Sequence, residues 1–113
     1  MENCIFCKIG SHEASAQIAL ENDDVIAFKS IAPIAQTHLL IVPKKHYKAV
    51  IDIDDPKIMF AMKEAVSSLV ATLNLSGGYK LVFNGGRYQE VPHVHWHLLS
   101  GELENNSDLL NKL

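Results

Sequence analysis

At 113 residues and 12.5 kDa the chain has the length of a single domain, expected to span residues 1–113. Its composition, 48% hydrophobic and 20% charged, excludes a disordered tail, a collagenous repeat and a low-complexity segment. A net charge of −3 with no basic stripe argues against a nucleic-acid partner, and the longest aliphatic run, residues 39–42, is far short of the ~20 residues that cross a bilayer.

The opening Met-Glu-Asn-Cys has no basic region followed by an apolar stretch, so the expected compartment is the cytoplasm. A short helix is expected from Cys4 to Gly10, enclosing the pair Cys4-x-x-Cys7. In a reducing compartment this pair has little prospect of a lasting disulfide, and it becomes a metal signal only with two further ligands. Residues 17–21 and 25–29 read as a hairpin around the acidic turn Asn22-Asp23-Asp24. Residues 38–43 form an aliphatic central strand closed by Pro43.

Asp54-Asp55-Pro56 marks the start of the long helix, with a carboxylate to cap free N–H groups and a proline in the first turn. Met59, Met62, Val66, Leu69 and Leu73 then recur at steps of three and four, an amphipathic face; Gly77-Gly78 is the expected stop. Residues 79–84 and 93–99 complete the pattern as strands. The order β-β-β-α-β-β predicts an α+β fold: an antiparallel sheet with helices packed on it. A further short helix is expected in the tail, residues 102–113.

The densest information lies in His93-Val94-His95-Trp96-His97-Leu98-Leu99. In a strand, side chains alternate between faces, so the three imidazoles share one side while Val94, Trp96 and Leu98 face a core. Such a row can ligate a metal, or supply a nucleophile with a neighbouring proton donor. Upstream, Asn84-Gly85-Gly86 and Gln89 offer amide donors and a close backbone turn, which suit an anion such as phosphate. No paired carboxylates stand nearby in the manner of a magnesium site.

The motif resembles the signature of the histidine triad (HIT) family, His-φ-His-φ-His-φ-φ with φ apolar, at every position. Cys4-Ile5-Phe6-Cys7-Lys8-Ile9, Asp24-Val25-Ile26-Ala27-Phe28 and Thr37-His38-Leu39-Leu40-Ile41-Val42-Pro43-Lys44-Lys45-His46 resemble further family blocks in their usual order. The likeness is greatest to the branch that cleaves purine nucleoside phosphoramidates. It implies a HIT-like fold of about five antiparallel strands with a long helix and a short N-terminal one. It also implies a homodimer of two such sheets and a purine nucleotide substrate.

By that resemblance His95 is the nucleophile that forms a nucleotidyl-imidazole, His97 bonds the phosphate or leaving group, and His38 orients the triad. Phe6, Ile9, Phe28 and Ile31 match positions lining the base, Ser30 the ribose contact, and Asn84 and Gln89 the phosphate or ribose donors. Cys4, Cys7, His46 and His93 match a structural zinc (Zn2+) site found in bacterial-type members. The chain departs from the pattern at Ser30, where relatives carry Asp, at Glu90, where they often carry Ser, and in a shorter loop between Asn84 and Gln89. Two alternatives follow: a dinucleoside polyphosphate hydrolase, or a zinc-stabilised nucleotide-binding protein with little turnover.

Overall fold

The computed structural model describes residues 3–103. Its elements are α1 (Ile5–Gly10), β1 (Ile18–Glu21), β2 (Val25–Lys29), β3 (Ala35–Pro43), α2 (Pro56–Thr72), β4 (Lys80–Val82) and β5 (Trp96–Leu103), with one-turn 3₁₀ segments at Val50–Asp52 and Gly86–Tyr88. The strands form one antiparallel five-stranded sheet in the order β1-β2-β3-β5-β4. This is the expected α+β architecture. Among the described residues no helix is long and apolar enough to cross a membrane.

The hairpin closes because Asn22 Oδ1 accepts from the backbone N–H of both Asp24 and Val25, which holds the acidic turn. The β3–β5 ladder is the longest, and it sets Leu40 opposite His97 and His38 opposite Leu99. Its register shifts once, between Ala35 and Thr37, where Gly101 lies across the sheet with φ of 84°. A Cβ on Gly101 would lie 2.7 Å from Gln36 Cβ, so the glycine permits both the backbone turn and the close approach.

Asp55 caps α2 by accepting from Lys57 N–H at 2.9 Å, and Pro56 opens the first turn. The helix buries Ile58, Met62, Ala65, Val66 and Leu69 against Val25, Ala27, Leu39, Ile41, Trp96 and Leu98 of the sheet and Val94 just before β5. Burying a side chain such as Met62 is worth about 1.5–3 kcal/mol. Two sequence expectations are corrected here. Leu73 is exposed and Ile58 takes its place in the stripe. The helix stops at Asn74, whose φ of 57° is left-handed, and Gly77-Gly78 lies beyond the end. Asn tolerates that conformation because its short side chain can bond locally.

The opposite sheet face carries a second apolar cluster of Phe6, Ile9, Ile26, Phe28, Leu40 and Val42, covered by α1. The strands expected at residues 79–84 and 93–99 are shorter or shifted: β4 has three residues, and β5 begins at Trp96 and runs on to Leu103. The helix expected in the tail gives way to strand up to Leu103, and its remainder lies outside the described residues.

Candidate active site

His38 on β3 and His97 on β5 are diagonal neighbours across the ladder and meet on the α1 face of the sheet. His38 Nδ1 accepts from the Ile34 backbone N–H at 3.1 Å, so its proton resides on Nε2. That Nε2–H donates to His97 Nδ1 at 3.0 Å. His97 in turn carries its proton on Nε2.

His95 stands just before β5, and its tautomer is fixed in the opposite sense. Its Nδ1–H donates to the carbonyl of His93 at 2.7 Å, leaving Nε2 with a free lone pair. The His95 and His97 rings lie 5.1 Å apart, so an available lone pair stands beside an available N–H. Phe6 packs edge-on against His95 at 5.0 Å and, tilted by 59°, against Phe28 at 5.7 Å.

The same neutral states follow from burial. Burial, then the charges that His95 and His38 could carry, lowers His97 from 6.5 to about 4. Burial likewise lowers His38. His93, wholly enclosed, falls to about 4 for the same first reason, with His46 and His95 adding to the effect. Near neutral pH these are imidazoles, not imidazolium ions.

The triad turns its first histidine to another task. His93 Nε2–H donates to Pro43 O at 2.8 Å, which leaves Nδ1 as a lone pair aimed at Cys4, Cys7 and His46. His93 Nδ1 is 3.1 Å from His46 Nδ1, 3.3 Å from Cys4 Sγ and 3.5 Å from Cys7 Sγ; Cys7 Sγ is 3.3 Å from His46 Nδ1. A tetrahedral ion bound at about 2.0–2.3 Å separates its ligand atoms by roughly 3.3–3.8 Å; these four separations lie within a few tenths of an ångström of that range, and all four ligand atoms lie within 4.8 Å of one another. Without a cation, burial and Cys4 push the Cys7 thiol up to about 11. The four side chains can therefore hold a metal ion, and all four positions around it would be filled by protein.

The other candidates are placed unevenly. Phe6, Ile9 and Phe28 are buried in the cluster below the imidazoles, whereas Ile31 projects fully into solvent. Ser30 Oγ accepts from Ala32 N–H at 3.2 Å, and Ser30 N–H bonds His38 O at 3.0 Å. Asn84 is half-buried just past Val82, the residue opposite His97. Gln89 points elsewhere: its amide nitrogen donates to the carbonyls of Lys48 and Val91. Glu90 is exposed. Sequence reasoning missed the Ile34 N–H, the Pro43 carbonyl and the His93 carbonyl, because backbone groups that set tautomers leave no side-chain signature.

The HIT domain description matches residues 11–104. The chain belongs to the HIT domain family. Among its HIT relatives is an uncharacterized HIT-like protein of Methanocaldococcus jannaschii, 41% identical over 100 residues, covering 85% of this chain and 77% of that protein. Protein HitA of Neisseria gonorrhoeae is 35% identical over 103 residues, covering 88% of this chain and 96% of HitA. A solved HIT family hydrolase from Clostridium thermocellum superposes with a TM-score of 0.86 at 38% identity, over 90% of this chain and 93% of that one. Cys4 and Cys7 precede the matched HIT segment, so the two sulfur positions of the four-residue cluster lie outside it.

Proposed function

We propose that this HIT protein hydrolyses purine nucleoside 5′-phosphoramidates or related nucleotide adducts through a covalent nucleotidyl-His95 intermediate. The observation that carries this reading is the tautomer pattern. His95 is held with its Nε2 lone pair free, beside a His97 whose proton the His38–Ile34 chain keeps on Nε2.

His95 Nε2 attacks the α-phosphorus and the P–N bond breaks as the leaving amine takes up a proton from solvent, which the hydrolytic water returns in the second step. Water then cleaves the nucleotidyl-imidazole, returning neutral His95 and releasing the nucleoside monophosphate. Splitting one displacement into two lowers each barrier. His97 Nε2–H meets the phosphoryl oxygens where negative charge grows, and Asn84 adds a neutral donor. Phe6, Ile9 and Phe28 form the apolar floor under the nucleoside, with Ser30 and Ile31 at its edge.

Cys4, Cys7, His46 and His93 hold a structural zinc ion; two thiolates and two imidazoles are a donor set that zinc favours. Zinc there supplies no Lewis acidity to the substrate, since every ligand position is occupied by the chain. Cys4 and Cys7 are not joined in a disulfide, which suits a reducing, cytoplasmic compartment. The working unit is a homodimer joined along β4.

The test is amine release from adenosine 5′-phosphoramidate by the full chain and by His95→Ala at equal zinc content. The expected result is turnover by the wild type and a loss on the order of 10⁴-fold or more in the variant. Absent turnover in a folded, zinc-loaded wild type overturns the phosphoramidate assignment. Cleavage of dinucleoside polyphosphates would then mark a different leaving group. AMP binding unaffected by His95→Ala, with no turnover of either substrate, would mark a binding protein.

A further inference from the structure

The hydrogen bonds of Gln89 are unusual for an exposed loop. One amide nitrogen reaches two backbone carbonyls, that of Lys48, 41 residues away, and that of Val91, two residues on. Both partners can only accept, so the orientation of the amide is unambiguous: both its N–H groups face them. Each carbonyl lies two residues from a metal-cluster histidine, Lys48 after His46 and Val91 before His93.

Apart from the clamp, Val94 N–H bonds Tyr47 O at 2.8 Å, which joins the same two segments. A single bond lets two segments pivot about each other, whereas two bonds fix their relative orientation. The cluster needs that precision, because its imidazole nitrogens must stay about a tetrahedral edge apart, and they stand at 3.1 Å. The Val91 carbonyl also accepts from His93 N–H at 2.8 Å, so Gln89 acts on the backbone that aims His93.

We propose that Gln89 is a positioning residue for the metal centre, clamping the His46 segment to the His93 segment, and is not a donor to the nucleotide. The clamp rests on the zinc reading given above. It acts as an outer partner acts on metal ligands, and loss of such partners costs about 10–100-fold in affinity. Its influence extends one step further, since the His93 carbonyl fixes the tautomer of His95.

The test uses the full reduced chain with Co(II), followed by Zn(II) competition against a chelator. Gln89→Glu keeps the shape and replaces two donors with acceptors that repel both carbonyls. Gln89→Met keeps the length with no donor, and serves if the charged variant fails to fold. The expected result is a 10–100-fold weaker affinity for both ions. The thiolate-to-cobalt charge-transfer band should persist, while the d–d bands shift as the imidazoles lose their fixed geometry. Affinity within twofold of wild type and unchanged d–d bands in a folded variant would overturn the clamp. So would weakened AMP binding alongside an unchanged cobalt spectrum, which would return Gln89 to the nucleotide. Failure of the wild type to bind either ion would overturn the zinc reading, and the clamp with it.

Discussion

The imidazole of His97 accepts from His38 Nε2–H and is depressed to about 4 by burial, so its cost falls on the acid side of neutrality. Unfolded, it titrates near 6.5; folded, near 4. Above pH 6.5 both states are neutral and stability is unaffected. As the pH falls from 6.5 towards 4 the unfolded chain takes up a proton that the folded chain refuses, and stability declines. The loss by pH 4.5 is on the order of 2 kcal/mol. Urea unfolding of wild type and His97→Asn at pH 7.5 and 4.5 checks this: the variant should lose less stability between the two by about that amount, whereas equal losses would refute it. The identity of these imidazoles was legible because residues alternate across a strand, and Val94, Trp96 and Leu98 do face the core as the alternation requires. Their protonation was not, because it depends on Ile34, Pro43 and His93 backbone atoms that tertiary packing delivers.

At the level of elements, α1 has only six residues, too few to persist alone in water. Two attachments hold it: the burial of Phe6 and Ile9 in the second cluster, and the Cys4 and Cys7 thiols at the metal cluster. Phe6 lies between those thiols in sequence and against His95 in space, so a metal held by the cluster would secure one wall of the proposed nucleophile. Chelating the metal should lower the Tm by about 10 °C at zinc 100-fold above its Kd. It should also reduce kcat, with both restored by added zinc; full activity in metal-free protein would separate α1 from the chemistry. Sequence patterning located α2 through its cap and its stripe, yet misplaced its end. Two glycines were the stronger turn signal at residues 77–78, while the chain turns at Asn74, letting Leu75 return to the core. Propensity names the residues that can stop a helix, and packing chooses among them.

For the whole molecule, β4 is the least finished part of the fold. It is a three-residue edge strand paired on one side with β5, and its outer backbone groups have no strand beside them among the described residues. On its α2 side Tyr79, Leu81 and Phe83 are each nearly half exposed, and Phe60 projects from α2 at 63% exposure. Natural edges are normally blunted by charge, proline or a covering segment; this one carries Lys80, yet its α2 side presents an apolar row. A second copy placed antiparallel along β4 would pair the free backbone groups, bury those side chains twice over, and extend five strands to ten. Because the pairing is two-fold, every unfavourable substitution counts twice. Leu81→Lys combined with Phe83→Lys therefore places four ammonium groups in the buried seam while leaving the imidazole face of the sheet untouched. Sedimentation equilibrium should give twice the 12.5 kDa chain mass for wild type. The double variant should dissociate at least about 100-fold more readily, equivalent to roughly 2.7 kcal/mol. A wild type that sediments as a single chain would refute the β4 seam. A variant that stays dimeric would move the seam to another face, because four buried unpaired charges are incompatible with this one.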